Sequence, residues 1–157
     1  MVFVTLLMSF GCVGTHQIKQ VSAITANTDI ESMQKLLESD HRYIRLATVD
    51  QIQSSAVSTQ TKKALTEPML DILYNETEWC PVRGRASKVL GEWQIQSATK
   101  GIIEAMATCD DESRYWMLLG LEPLSTVDPL ALGAIQSLTY DTDIFIRTEA
   151  THWLEKR

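Results

Sequence analysis

The chain has 157 residues, a net charge of −6, 45% hydrophobic residues and 22% charged residues, which is the size and make-up of one soluble domain able to bury a core. Seven Gly and four Pro are too few for a loop-rich or all-β protein. The acidic balance opposes a nucleic-acid backbone, which calls for a basic stripe.

Residues 1–14 carry no charge and read MVFVTLLMSFGCVG. The run is too short to span a bilayer as a helix, which takes about 20 residues, but it fits the apolar core of a signal peptide. With Gly11 ahead of Cys12, the segment resembles the lipobox of bacterial lipoproteins, in which the Cys is lipidated and becomes the new N-terminus. That resemblance implies an exported protein, periplasmic or anchored to a membrane through Cys12. The sequence departs from the pattern at Ser9 and Phe10, and no Lys or Arg precedes the apolar run. The alternative is an apolar helix packed on the end of a cytoplasmic domain. Residues 15–27 (THQIKQVSAITAN) are polar and small, as a tether is, so the folded domain is expected over 28–157.

Within 28–157 a pattern recurs four times: residues 36–52, 72–90, 105–121 and 137–154. Each copy has an apolar helix end, an acidic turn, an Arg, and residues three and seven positions further on that can face a core. The arginines are Arg45, Arg83, Arg114 and Arg147, at spacings of 38, 31 and 33. Before each stands Ile44, Val82, Ser113 or Ile146. Three on stand Thr48, Ala86, Met117 and Ala150; seven on stand Ile52, Leu90, Leu121 and Leu154. Positions −1, +3 and +7 share one stripe of a helix, and a small residue at +3 admits a close neighbour. A second helical pattern precedes each copy, at roughly 28–38, 61–74, 97–107 and 128–139. Its start signals are Thr28 or Asp29, Thr61, Ser97, and Asp128 followed by Pro129. Pro68 falls inside the second of these and is expected to kink or restart it.

Val82-Arg83 with Ala86 and Leu90, and Ile146-Arg147 with Ala150 and Leu154, resemble the HEAT-repeat family, in particular its bilin-lyase-like variant. Ser113, Met117 and Thr48 depart from that pattern. The resemblance covers 28–157 and implies an all-α fold: a short right-handed α-α solenoid of about four helical hairpins, each burying its neighbour's apolar flank. It also makes Arg45, Arg83, Arg114 and Arg147 a structural ladder that caps or bridges the turn carboxylates, and places the second helix of each hairpin on a concave face.

The turns are acidic, at Asp40, Glu76, Glu78, Asp110, Asp111, Glu112, Asp141 and Asp143. Helix capping explains these residues better than calcium, since no EF-hand spacing occurs. The three histidines sit in no catalytic motif, and no nucleophile elbow, phosphate loop or zinc-protease signature is present. The expectation is therefore no catalytic residue, no metal and no cofactor. Cys80 and Cys109 lack metal-ligand spacing. Export would permit a disulfide between them, but the residues read more simply as two buried or loop thiols.

Positions +2, +5 and +9 after each Arg are expected to face outward. They include Arg85, Lys88, Trp116, Leu119, Glu149 and His152. Trp116 and Leu119 rimmed by Arg85 and Lys88 would form an anchor of the kind found at binding hot spots; burial of the apolar run Tyr115–Leu119 between neighbours is the alternative. The function this favours is a non-enzymatic scaffold or adaptor whose partner is a protein or peptide. Family resemblance supplies two others: a bilin- or haem-lyase or chaperone-like subunit, and a DNA-binding role that the missing basic face disfavours.

Overall fold

A computed structural model of the chain describes Val21 and residues 28–157. The apolar leader, Cys12 and all of the tether except Val21 lie outside the described residues. Among these residues the fold is all-helical, with no strand. Eight helices follow one another: α1 (Ile30–Leu37), α2 (Arg42–Ser54), α3 (Thr59–Tyr74), α4 (Cys80–Glu92), α5 (Ala98–Met106), α6 (Asp111–Leu124), α7 (Pro129–Leu138) and α8 (Ile144–Glu155). None of them is long and apolar enough to cross a membrane.

Local chemistry sets the helix starts. Asp29, Ser58, Asp110, Asp128 and Asp143 are N-caps whose side chains accept from backbone N–H groups one turn in, satisfying donors that the helix itself cannot. The α3 start differs from the expectation at Thr61: Ser58 is the cap, and its Oγ accepts from the Thr61 N–H at 3.1 Å. Pro68 does not restart α3, which runs unbroken through it. A proline strips the carbonyl four residues back of its usual partner. Here that carbonyl belongs to Ala64, and the Gln34 Nε2 of α1 donates to it at 3.2 Å.

Each helix packs against the next but one, and against the next except where α2 is followed by α3, with no substantial contact reaching further along the chain. The odd-numbered helices thus form one row and the even-numbered helices another, with the core between and within the rows. The −1, +3 and +7 residues of the even helices are all buried except Leu154, which is half-buried. At +3, Thr48 is tolerated because its hydroxyl donates to the Ile44 carbonyl at 2.7 Å, which satisfies a buried polar group within the helix.

The most intimate pair is α4 with α6. The close approach does not run through +3, as expected from the sequence, but along a seam of Gly84, Ser87 and Gly91 against Ser113 and Gly120. A Cβ on Gly84 would stand 2.9 Å from the Ser113 carbonyl oxygen, and one on Gly120 2.5 Å from that of Ser87. Backbone meets backbone here, so these positions require the absence of a side chain.

That approach brings the two turns together, and Cys80 and Cys109 form a disulfide across a Cα–Cα distance of 5.5 Å. The reading of two separate thiols is therefore incorrect. Cys80 opens α4 and Cys109 immediately precedes the cap of α6, so the bond joins the starts of two helices that the glycine seam holds close. The Cα separation lies within the range a disulfide spans without backbone movement.

Candidate binding face

The four repeat arginines line the edge where the turns leading into the even helices lie. Arg45 makes a bidentate pair with Glu78, Nε to Oε2 at 2.6 Å and Nη2 to Oε1 at 2.7 Å, and also donates to the Ser39 carbonyl. Arg83, only 5% exposed, donates from Nε to the Leu73 carbonyl at 3.0 Å and lies beside the Cys109 sulfur. Arg114 pairs with Asp111 at 2.8 Å and reaches Asp141 of the following turn. Arg147 donates to the carbonyls of Asp141 and Thr142. Every neighbouring pair of these turns is therefore cross-linked: the first by Arg45–Glu78, the second by Cys80–Cys109, the third by Arg114–Asp141. Bidentate and charge-assisted bonds of this kind are the strong ones.

Several of the acidic turn residues are spent on such bonds. Glu78 accepts from the Trp79 N–H at 2.7 Å, Asp110 from that of Ser113 at 3.0 Å, and Asp143 from those of Phe145 and Ile146 at 2.9 Å. No group of three or more His, Cys, Asp or Glu among the described residues converges on a point where a metal ion could sit.

Arg85, Lys88, Trp116, Leu119, Glu149 and His152 all lie on the outer side of the even row, half-buried or exposed. Arg85, Lys88 and Trp116 gather closely. The Arg85 guanidinium lies 3.5 Å from the centroid of the Trp116 ring, and the Lys88 ammonium 5.1 Å. Arg85 also pairs with Asp50 at 3.3 Å, and Lys88 with Glu92 at 3.6 Å. The two cations that were to form a rim therefore cover the indole face, through cation–π contact, and are neutralised by carboxylates of their own chain. Burial raises the Asp50 carboxyl above its ordinary range, with Arg85 and Lys88 pulling it back.

The open apolar surface lies further along the same row, between α6 and α8. A groove of about 720 Å³ is lined by Asp111, Glu112, Tyr115, Asp143, Ile144, Phe145, Thr148 and Glu149. Phe145 is 76% exposed and Ile144 60%. Tyr115 also stands edge-on to Trp116, ring centroids 6.1 Å apart, which connects the groove to the covered tryptophan. Glu149 belongs to this groove; His152 faces a shallower depression with Thr139, Arg147, Thr148, Thr151 and Glu155.

The local potential is negative. Tyr115 is pushed up from its ordinary phenol range by burial and by the carboxylates of Glu149 and Glu122. Glu122, one turn from Leu119, is pushed up to about 7 by burial and then by Glu149, with Lys156 opposing. One of its oxygens, Oε1, is buried with no hydrogen-bond partner among the described residues.

The groove's apolar pair was present in the sequence as a departure within the repeat. At three and two residues before the Arg, the copies read Arg42-Tyr43, Cys80-Pro81, Asp111-Glu112 and Ile144-Phe145. Only Ile146 fills the core slot of the last copy, so Ile144 and Phe145 have no neighbour to bury them. No protein-family model matches the chain, and no curated protein does.

Proposed function

We propose that the chain is a non-enzymatic binding module: a short α-solenoid of four HEAT-like hairpins that holds a protein or peptide on the outer side of its even-numbered helices. The observation that carries this reading is the open groove between α6 and α8, where Ile144 and Phe145 stand exposed beside Tyr115 on a rigid helical support. Exposed apolar residues rimmed by polar ones mark interaction sites. The solenoid reading draws support from packing that stays between near neighbours in the chain, each helix meeting the next but one, and from the four arginines at equivalent places in the repeated pattern. Such stacks bind through extended surfaces and imply no chemistry of their own.

Export belongs to the same proposal. The uncharged leader with Cys12 supports it, and so does the Cys80–Cys109 disulfide, because disulfides persist in oxidising compartments. Mass spectrometry of the mature N-terminus tests lipidation at Cys12. The binding face is tested by placing a photo-crosslinking residue at Leu119 or Phe145 on the even row, and at Leu130 or Gly133 on the odd row, in the living host. A discrete adduct from the even-row positions alone supports the reading; adducts from both rows alike, or from neither, overturn it.

A further inference from the structure

Resting on that binding reading, we infer that the α6–α8 groove selects a basic partner: an extended segment in which an apolar side chain is flanked by Lys or Arg. The groove's lining decides the charge. Four of its eight residues are acidic (Asp111, Glu112, Asp143 and Glu149) and none is basic. Asp143 is used in capping α8 and Asp111 in pairing with Arg114, which leaves Glu112 and Glu149 as the carboxylates set on either side of the apolar centre.

The arrangement also decides against a metal ion. The carboxylates do not converge into a cluster; they are spread around Tyr115, Ile144 and Phe145. Diffuse negative charge around an apolar centre suits a long cationic side chain, whose aliphatic stem can lie on the rings while its head meets a carboxylate. The cations beside the groove are already engaged: Arg114 with Asp111 and Asp141, and Arg147 with the carbonyls of Asp141 and Thr142, while Arg85 and Lys88, further along, are turned to Trp116, Asp50 and Glu92. Electrostatic complementarity of this kind sets which partner is accepted more than how tightly it is held.

The test uses the full chain and three labelled short peptides, of alternating Lys and Leu, alternating Glu and Leu, and alternating Lys and Ser, followed by fluorescence anisotropy at physiological salt. The Lys/Leu peptide is expected to bind at least about tenfold more tightly than either of the others. Phe145→Ser and Glu149→Gln should each weaken that binding by about tenfold while leaving the thermal midpoint unchanged, and Lys100→Ala, on α5 in the other row, should leave it unaltered. Equal binding of the Glu/Leu peptide overturns the charge selection while the binding face stands. Equal binding by the Phe145→Ser variant, or no binding by any peptide, overturns the groove as the basic partner's site; the cross-linking experiment above then decides separately whether the even row binds anything.

Discussion

Substituting alanine for Gly91 separates packing from helix propensity, because the two act in opposite directions. Inside a helix, alanine is favoured over glycine by about 1 kcal/mol. Propensity alone therefore makes Gly91→Ala stabilising. A Cβ at Gly91, however, would run first into the carbonyl oxygen of Gly120 and stand 2.7 Å from both its Cα and its carbonyl carbon, well inside ordinary van der Waals contact in an interior that is already close-packed. The obstacle is main chain, so no side chain can swing away; α4 and α6 must move apart while the disulfide holds their turns together. Overpacking of this kind costs about 1–3 kcal/mol, and with immovable backbone we expect the upper end, for a net loss of about 2 kcal/mol after the propensity gain. Gly133 provides the control, since nothing lies within 4 Å of a Cβ built there. Gly133→Ala should stabilise by about 0.5–1 kcal/mol. Urea unfolding followed by circular dichroism reads both. A Gly91→Ala variant as stable as the Gly133→Ala variant would refute the account of the seam.

Three further outcomes follow from the turn edge and the buried acid. Replacing Cys80 and Cys109 together by alanine reopens a loop closed across 29 residues of sequence, and the chain-entropy argument puts the loss at about 3–4 kcal/mol; an unfolding midpoint unchanged by a reductant would contradict it. In a double-mutant cycle, Arg45→Ala and Glu78→Ala should couple by about 1–2 kcal/mol, because Glu78 is buried and held by both guanidinium arms; strictly additive losses would count against the rung. Glu122 should make the protein less stable as pH rises: its folded pKa of about 7 exceeds the ordinary 4.5, so the folded state holds the proton more tightly, and that contribution is complete below the unfolded value and lost as pH climbs through the folded one. Discounted for partial exposure, the change is about 1–2 kcal/mol. Glu122→Gln should flatten that part of the stability–pH curve, and an unaltered slope would show that Glu122 is not its source.

Much of the helical order could be read from the chain because it is written locally. The Asp caps, Pro129 and the stripe around each Arg depend on neighbours three or four residues away, and those signals put most helix starts within a residue or two. Pro68 could not be judged locally, since the group that replaces its missing donor, Gln34, comes from another helix. The disulfide and the glycine seam were hidden for the same reason: Gly84, Gly91 and Gly120 look like helix-weakening residues until α4 and α6 are laid side by side. In the binding face, the outward positions were legible from periodicity, whereas the fate of Arg85 and Lys88 was not. Two cations beside a tryptophan read as a rim from spacing alone. Whether they project or fold back depends on Asp50 and Glu92, and Asp50 comes from a different helix.

The three cross-links along the turn edge differ in kind, and this gives the molecule an uneven stiffness. Ionic rungs open and re-form without any covalent change, whereas the sulfur–sulfur rung answers only to reductant. The outer turns on either side can therefore part reversibly, while the starts of α4 and α6 stay joined until a reductant acts. The groove between α6 and α8 lies beside the Arg114–Asp141 rung, so the reversible kind of joint, and not the covalent one, borders its mouth.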